Sequence, residues 1–380
     1  MTEDLRPFRI DIPEATIADL HRRLDACRWP DEEVVQDTSQ GAQLSSMKAL
    51  VDHWRHSYDW RRCEATLNGY PQFLTQIDGV DIHFLHIRSR HEDALPMILT
   101  HGWPGSVIEF MKVIGPLTDP EAHGGTAADA FHLVIPSPPG FGFSGKPRDP
   151  GWKVARIAAA WEVLMARLGY QHYVAQGGDV GAAVSSHLGK RASPALLAIH
   201  TNMPFVLPPP PYDDLLPDQQ RMLEDLGRFA ADGGAYAQLQ GTRPQTLAYS
   251  LADSPVGQAA WIYEKLGAWS DSGGVAENVF TRDEMLDNIM LFWLTNSGGS
   301  SARFYWDNHG DAIAGIEINV PAGVTVFPGE LYRAARSWAE RYMKEIFYWN
   351  EVERGGHFAA FEQPEIFVKE LRSCFRLVRR

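Results

Sequence analysis

The stretch His172-Tyr173-Val174-Ala175-Gln176-Gly177-Gly178-Asp179-Val180-Gly181 indicates the fold. Its apolar first half predicts a short buried strand, and the small residues from Gly181 to Leu188 predict a helix. A strand, a sharp turn and a helix, with glycines on both sides of a central side chain, form the layout of a nucleophile elbow. The alternative is that Asp179 only caps the helix after a glycine turn.

A carboxylate at the centre of such a turn predicts an unusual nucleophile. An unperturbed Asp is ionised above about pH 4, so Asp179 needs no base to become nucleophilic. It can attack a saturated carbon and leave an ester, which water can later cleave, whereas a serine would leave a stable ether. We therefore expect two-step covalent chemistry at Asp179, and a serine-type esterase or peptidase is disfavoured.

The bulk composition is that of a soluble enzyme. The chain has 380 residues, 44% of them hydrophobic and 22% charged, which suits one large domain with an insertion or two domains. A formal charge of −13 disfavours nucleic acid and anionic membranes as partners. No apolar run approaches the roughly 20 residues of a spanning helix, and the N-terminus has no signal-peptide pattern. Three cysteines without metal-ligand spacing predict buried thiols in a reducing compartment, and so a cytoplasmic protein: Cys27, Cys63 and Cys374.

Short apolar strands alternate with helices from about residue 82 onward. Such alternation predicts an α/β fold with a mainly parallel sheet covered on both faces. Before it, helical spacing of apolar residues predicts one helix ending at Trp29-Pro30 and another over Leu44 to Tyr58. The predicted strands are Ile82–Ile87, Pro96–Thr100, His132–Pro136, His172–Gln176, Leu196–Thr201, Val324–Phe327 and Phe347–Val352.

The alternation stops after Pro204. A stiff run of prolines, Pro208 to Pro211, is followed by helical, aromatic-rich sequence to about Asn308, and the strand pattern resumes near Ile318. We interpret the interruption as a helical cap inserted into the sheet domain. The predicted divisions are an N-terminal helical meander at 1–90 that packs on core and cap, the first part of the core at 91–205, a helical cap at 206–308 and the second part of the core at 309–380.

A nucleophile at the elbow predicts an acid and a histidine later in the chain, in that order. His357 follows the last predicted strand in Gly355-Gly356-His357-Phe358, and Glu330 follows the strand before it. The carboxyl ends of parallel strands are where such folds gather working residues. Other carboxylates near in sequence stay open as the acid: Asp307, Asp311, Glu317 and Glu351.

Two further loops follow predicted strands. His101-Gly102-Trp103-Pro104-Gly105-Ser106 predicts an oxyanion hole made by the backbone N–H groups of Trp103 and Val180, because Pro104 has no N–H. Gly140 to Gly145 matches a dinucleotide pattern, but the prolines after it do not suit the helix that this pattern requires. We expect the loop to line a substrate pocket with Phe141, Phe143 and Trp103, and we expect no metal and no cofactor.

Together these motifs resemble the epoxide hydrolases of the α/β-hydrolase fold, in the microsomal-type branch with an N-terminal extension. The resemblance covers nearly the whole chain. It is carried by Phe8 to Pro13, Arg28-Trp29-Pro30, Tyr58 to Arg61, Leu67 to Phe73, His101 to Ser106, Gly177-Gly178-Asp179, Asp253-Ser254-Pro255 and Gly355 to Glu362.

The resemblance implies roles for five side chains. Asp179 is the nucleophile, His357 the base, Glu330 the acid that orients it, and the cap tyrosines Tyr236 and Tyr305 donate hydrogen bonds to the epoxide oxygen. Tyr249 and Tyr263 stay open as alternatives for the tyrosines. The chain departs from the family in having Val180 where many relatives have Trp, and Gln258 where leucine is common; each change is expected to alter pocket shape only.

The resemblance implies a small-molecule epoxide and water as reactants, a vicinal diol as product, and a role in detoxification. The aromatic residues near the predicted pocket favour an apolar substrate. We expect no membrane anchor of the kind that mammalian members carry, and a homodimer is left open. A haloalkane or haloacid dehalogenase uses the same carboxylate and histidine, but it needs N–H donors around the halide, often an indole beside the nucleophile that Val180 cannot supply. A non-catalytic binding protein of the same fold is the remaining alternative.

Overall fold

The computed structural model describes residues 5–311 and 315–379. Within these ranges the chain forms one nine-stranded sheet. Its strands are β1 (Arg6–Phe8), β2 (Gln72–Ile77), β3 (Val80–Ile87), β4 (Leu95–Thr100), β5 (Phe131–Pro136), β6 (Tyr173–Gly177), β7 (Leu196–Thr201), β8 (Ala322–Val326) and β9 (Ile346–Glu351).

The strand order is β1-β2-β3-β5-β4-β6-β7-β8-β9. From β5 to β9 all neighbours pair in parallel, whereas β1, β2 and β3 are joined antiparallel at one edge. Every residue of β5, β6 and β8 is buried, because helices cover both faces of the sheet. The predicted α/β fold with a mainly parallel sheet is confirmed, and each predicted strand lies within two residues of an observed one.

The prediction that residues 1–90 form a helical meander was wrong in part. It missed β1 and β2, which pair with each other and extend the sheet. The missed signal is Asp78-Gly79, where both residues have positive φ values of 49° and 80°. Such a pair favours a two-residue hairpin turn, and here it joins β2 to β3.

Helices fill three regions. The N-terminal ones are α1 (Glu14–Asp25), α2 (Leu44–His56) and α3 (Trp60–Asn68). Those packed on the sheet are α4 (Met111–Thr118), α5 (Val154–Arg167), α6 (Val180–Arg191), α13 (Arg336–Tyr342), α14 (Ala359–Glu362) and α15 (Pro364–Arg376). Between β7 and β8 lie α7 (Pro217–Arg228), α8 (Ala235–Thr242), α9 (Pro244–Asp253), α10 (Pro255–Trp269), α11 (Arg282–Leu294) and α12 (Gly298–Asn308).

The N-terminal helices hold the helical insertion in place. Asp287 of α11 is buried and accepts hydrogen bonds from the Tyr58 hydroxyl and the Arg62 guanidinium, each at 2.8 Å. Burial raises the pKa of Asp287, while these two donors oppose the rise. Since a buried carboxylate that loses its partners is costly, this contact ties the N-terminal segment to the insertion.

Candidate active site

Asp179 lies at the turn between β6 and α6, with φ 49° and ψ −122°. A non-glycine residue rarely adopts this backbone conformation, and such strain persists only where the surroundings enforce it. The enforcement is close packing on both sides. A side chain at Gly181 would place its Cβ 1.8 Å from the carbonyl oxygen of Thr100, and one at Gly177 would lie 2.1 Å from the backbone of Gly181. Glycine is therefore required at both positions.

The Asp179 carboxylate does not cap the helix that follows it. It accepts no N-cap hydrogen bond from the second or third residue of α6, so the helix-cap alternative is wrong. Instead Oδ1 accepts the Trp103 N–H at 2.8 Å, and the Val180 N–H also donates to the carboxylate. Gly102 leaves room for it, because a Cβ there would lie 2.2 Å from Oδ1. The N–H groups of Trp103 and Val180, which the sequence suggested as oxyanion-hole donors, thus both bind the Asp179 carboxylate.

His357 lies close to Asp179 and is bound in turn by Glu330. The Nε2 atom of His357 is 3.8 Å from Oδ2 of Asp179, and its Nδ1 is 2.6 Å from Oε1 of Glu330. Burial alone lowers the pKa of His357, but the charges of Glu330 and Asp179 outweigh burial and raise it to about 9. Burial likewise raises the pKa of Asp179, against the opposing effects of His357 and the two N–H groups.

The four other carboxylates near Glu330 in sequence are engaged elsewhere or exposed. Asp307 accepts the Gly151 N–H, Asp311 pairs with Lys153, Glu351 pairs with Arg221, and Glu317 is exposed. Glu330 alone among these five contacts the histidine. Its Oε1 also accepts the Leu331 N–H at 2.8 Å, which fixes the carboxylate against the ring.

Two acidic side chains hold the loop that carries His357. Asp271 accepts the Gly355 N–H at 2.9 Å, and Glu362 accepts the N–H groups of Asp271 and Phe358. Burial raises the pKa of Glu362 to about 7, although these backbone donors favour its charged form. The sequence motif contained Glu362, but its spacing gave no sign of this anchoring role.

The insertion contributes Tyr236 and Tyr305, whose hydroxyls hydrogen-bond to each other. Both face the Asp179 cavity, and burial raises the pKa of each phenol above its usual value. Both therefore remain protonated donors at neutral pH. The Tyr236 ring stacks on Trp103. The ammonium of Lys265, a residue of α10, lies 5.0 Å from the centroid of the Tyr236 ring.

The two alternative tyrosines lie elsewhere. Tyr249 is 70% exposed on α9, away from Asp179. Tyr263 is buried, but its hydroxyl donates to Glu277 at 2.7 Å. Neither lines the cavity that contains Asp179, so the geometry favours Tyr236 and Tyr305.

A cavity of about 410 Å³ opens above Asp179, with walls that are mostly apolar. Its walls come from α6, α7, α8, α12 and the segment after β7, and they include Val180, Ala183, Met203, Phe205, Val206, Leu207, Met222, Leu226, Phe229, Tyr236, Phe304 and Tyr305. The expectation that Phe141 and Phe143 line this pocket was wrong. Phe141 is buried in the core against His101, and Phe143 packs on Phe8.

The structure also places three other residues named from the sequence. Trp103 does not line the large cavity. It lines a smaller one that also borders Asp179, and its ring stacks on Tyr236, which lines the large cavity. Gln258 is buried in α10 and does not line the large cavity, whereas Val180 does. Met203 to Leu207 were missed as pocket residues, and the apolar run before the prolines was the signal for them.

The insertion also fixes the oxyanion loop. Asn288 of α11 accepts from the Ser106 hydroxyl at 2.7 Å and donates to the Pro104 carbonyl at 2.8 Å. Trp103 is thus held between the turn below it and the insertion above it. In residues 5–311 and 315–379, no cluster of three or more His, Cys, Asp or Glu side chains is arranged to hold a metal ion.

The three cysteines of the chain form no disulfide bonds. Cys63 and Cys374 are buried free thiols, and Cys27 is half-buried. Among the helices of the described part of the chain, none is both long enough and apolar enough to cross a membrane.

The fold and this site define an α/β-hydrolase whose elbow carries a carboxylate. A profile described as "Epoxide hydrolase N terminus" matches residues 5–110, and one described as "alpha/beta hydrolase fold" matches residues 96–241. A Stigmatella aurantiaca protein whose name assigns it to the epoxide hydrolases is 56% identical over 99% of this chain and 86% of its own length. Epoxide hydrolase 1 of Oryctolagus cuniculus is 32% identical over 100% of this chain and 90% of its own.

Solved structures agree. The juvenile hormone epoxide hydrolase of Bombyx mori superposes with a TM-score of 0.90 at 29% identity, covering 100% of this chain and 96% of that one. The Aspergillus niger epoxide hydrolase gives 0.88 at 31% identity, covering 99% and 97%. The chain belongs to the epoxide hydrolase family, as the sequence resemblance implied, and it is a hydrolase of epoxides.

Proposed function

We propose that the chain hydrolyses an apolar epoxide to a vicinal diol through a covalent ester on Asp179. One observation carries the proposal: two backbone N–H groups hold the Asp179 carboxylate while its Oδ2 faces His357 at 3.8 Å. One oxygen can therefore bond to the substrate while the other stays in an oxyanion hole. The carboxylate is also at the floor of the apolar cavity.

In the first step, Oδ2 of Asp179 attacks an epoxide carbon and the ring C–O bond breaks. The released oxygen becomes an alkoxide, which must be stabilised and protonated. Tyr236 and Tyr305 are the protonated donors that face the same cavity. They hydrogen-bond to the ring oxygen before attack. The proton that this oxygen takes from one of them is replaced from the imidazolium of His357, which becomes neutral.

In the second step, water attacks the ester. Forming the ester removes the negative charge of Asp179, which is one of the two charges that raise the pKa of His357. The ring is then more readily neutral, and Nε2 takes a proton from water while the water oxygen bonds to Cγ of Asp179. The Trp103 and Val180 N–H groups stabilise the oxyanion, and the Cγ–O bond to the substrate then breaks. The departing diol oxygen takes the second proton of the water from the Asp179 carboxyl, which leaves Asp179 ionised and His357 protonated, as before the first step.

Glu330 holds the imidazole through Nδ1 and compensates its charge during this transfer. Its position supports the role of the acid in the triad. The apolar walls favour an apolar substrate, and a cavity of about 410 Å³ falls in the range typical of small organic ligands. Detoxification, a cytoplasmic location, a homodimer and the division of the chain at 90, 205 and 308 stay predictions from sequence.

The dehalogenase alternative is less well supported. A halide needs N–H donors but no proton, whereas the cavity presents two phenol hydroxyls and Val180 beside the nucleophile. A binding protein would not need a strained carboxylate next to a histidine and acid. Halide release measured beside diol formation separates the two enzymes, and turnover of any epoxide excludes the binding protein.

The experiment is intact-mass analysis of His357→Gln incubated with a panel of epoxides such as styrene oxide, aliphatic oxiranes and terpenoid oxides. We expect the enzyme mass to rise by the mass of the substrate, because ester formation continues while hydrolysis stops. Peptide mapping should place the adduct on Asp179. The scheme would be contradicted if the variant formed no adduct with an epoxide that the parent enzyme hydrolyses.

A further inference from the structure

A second, much smaller cavity also borders Asp179. Its volume is about 20 Å³, and it is lined by Asp179, His357, His101, Gln176 and Glu109 among others. A cavity of this size holds one water molecule. It lies where the 3.8 Å gap between His357 and Asp179 is too long for a direct hydrogen bond.

Two side chains of this cavity carry buried polar atoms without a hydrogen-bond partner among the described residues. They are Nε2 of His101 and Oε1 of Gln176, and both residues are 1% exposed. Their other polar atoms are occupied: Nδ1 of His101 is 3.0 Å from the Gly102 carbonyl, and Nε2 of Gln176 donates to Asn202 at 3.1 Å. Unpaired polar atoms are costly away from water, so they indicate a bound water rather than an empty space.

Glu109 is the other acidic side chain in the lining of this cavity. It lies on a short 3-10 helix, Val107–Phe110, directly after the oxyanion loop. Its Oε1 occupies the space of an absent side chain, because a Cβ on Gly105 would lie 1.2 Å from it. Gly105 thus allows the Glu109 carboxyl to turn back toward His357 and Asp179. The charge of His357 lowers the pKa of Glu109 and the charge of Asp179 raises it.

We infer that Glu109 is a positioning residue that holds the hydrolytic water in this cavity, between its carboxyl and Nε2 of His357. The inference rests on the covalent mechanism proposed above and assigns the water of its second step to a built site. The water gives its proton to His357 and its oxygen to Cγ of Asp179, while Glu109 ends the cycle unchanged. Removal from water raises the pKa of Glu109 to about 8, so at neutral pH its carboxyl can both donate and accept.

The test separates the two half-reactions in single-turnover experiments, with ester formation and ester decay followed by rapid quench and intact mass. Glu109→Ala should slow ester decay about 100-fold, because an attacking group displaced by about 1 Å loses that much. Ester formation should stay close to the parent rate, so the ester should accumulate during turnover. Glu109→Gln, which keeps a donor and an acceptor, should stay within about tenfold of the parent, the worth of one hydrogen bond.

Gly105→Ala provides a matched second variant that keeps the carboxyl but pushes it from its place. It should slow ester decay as Glu109→Ala does. If both act on the same water, the double variant should be no slower than Glu109→Ala alone, whereas independent effects would multiply. Glu92→Ala, on an exposed loop, serves as the control and should leave both rates unchanged.

The inference is overturned if Glu109→Ala and Gly105→Ala leave ester decay unchanged, or slow formation and decay equally, or if the double variant multiplies the two effects. These outcomes are separable from failure of the proposed function. An adduct on His357→Gln with normal ester decay in Glu109→Ala rejects the water site alone. If His357→Gln forms no adduct, the covalent mechanism is rejected, and the water site is rejected with it.

Discussion

The indole of Trp103 and the phenol ring of Tyr236 are stacked almost parallel, with centroids 4.8 Å apart and an interplanar angle of 8°. Trp103 supplies a backbone N–H to Asp179, and Tyr236, on the insertion, lines the substrate cavity that Asp179 also borders. Aromatic pairs of this kind stabilise by about 0.5–1.5 kcal/mol beyond the area they bury. The stack therefore sets the distance between a donor of the core and a donor of the insertion.

Removing either cavity tyrosine should slow ester formation. Tyr236→Phe and Tyr305→Phe each keep the ring packing but remove one donor to the developing alkoxide. The expected loss is about 100-fold in the rate of ester formation, as for other donors to a developing oxyanion, with a larger loss in the double variant. Stopped-flow tryptophan fluorescence or rapid quench measures this rate.

Tyr249→Phe is the matched control, since its hydroxyl is on an exposed surface of α9. It should behave like the parent. Equal losses in all three variants, or a loss confined to ester decay, would contradict the assignment of Tyr236 and Tyr305 to the epoxide oxygen.

Ester decay should depend on pH through His357. The ring accepts a proton only when neutral, so the rate should rise with pH and then level off. Because the ester lacks the Asp179 charge, the apparent pKa of this rise should lie below the value of about 9 in the free enzyme. Single-turnover decay measured from pH 5 to 10 gives the profile.

Ester formation should respond differently, because it needs Asp179 ionised. Burial raises the pKa of that carboxyl, so the rate of ester formation should fall as the pH is lowered through the raised value.

For the other half-reaction, a rate of ester decay that is flat across the whole pH range, or that falls as the pH rises, would exclude His357 as the base.

Gly181→Ala should destabilise the enzyme strongly. The added Cβ would lie 1.8 Å from the Thr100 carbonyl oxygen, and backbone on both sides has no room to move. Overpacking of this kind typically costs about 1–3 kcal/mol, and we expect a value near the upper end in the free energy of unfolding. Urea denaturation followed by circular dichroism is the measurement.

Gly227→Ala in α7 is the control for the same chemical change. A Cβ there meets nothing within 4 Å, so alanine should be neutral or stabilising, by up to about 1 kcal/mol. If the two variants lose equal stability, close packing at the elbow is not the reason for the glycine.

Leu226→Trp should narrow the substrate cavity without touching the reacting groups. Leu226 lies on α7 and lines the cavity, so the indole should occupy part of its roughly 410 Å³. We expect kcat/KM to fall for bulky epoxides such as terpenoid oxides and to change little for small aliphatic oxiranes. Steady-state assays over the panel test this.

Leu239→Trp, on the outer side of the insertion, is the matched change at a 37% exposed position outside the cavity wall. It should leave the preference for substrates as it is. A uniform loss over the whole panel for Leu226→Trp would indicate damaged folding rather than a narrower cavity.

Local chemistry explains which parts of the fold could be predicted from sequence. The parallel strands are short apolar runs bounded by glycine and proline, and the elbow has a glycine pattern that few other structures require. The N-terminal strands were missed because β1 has only three residues and β2 is partly polar, so neither stands out beside the helices around it. Their pairing depends on β3, which a local pattern does not include.

The active site likewise contains residues that a local sequence pattern marks and residues whose contacts depend on distant parts of the chain. Asp179 and His357 are marked by loops with distinctive glycines, whereas the partners of Glu330 and of the tyrosines depend on how distant elements pack. Phe141 resembled a pocket residue because it follows a strand in a glycine-rich loop, but the turn of that loop buries it against His101. Glu109 is one carboxylate in an apolar helix, and only the three-dimensional placement of Gly105 explains its direction.

The contact between Asp287 and the pair Tyr58 and Arg62 bears on protein engineering. Chimeric enzymes are often built by transplanting a lid between homologues in order to change what they accept. Here a transplanted lid without an acid at position 287 would lose the hydrogen bonds from Tyr58 and Arg62, and removing the first 70 residues would leave the buried acid without these two donors. A successful graft must therefore carry both halves of this clasp, although they are more than 200 positions apart in the chain.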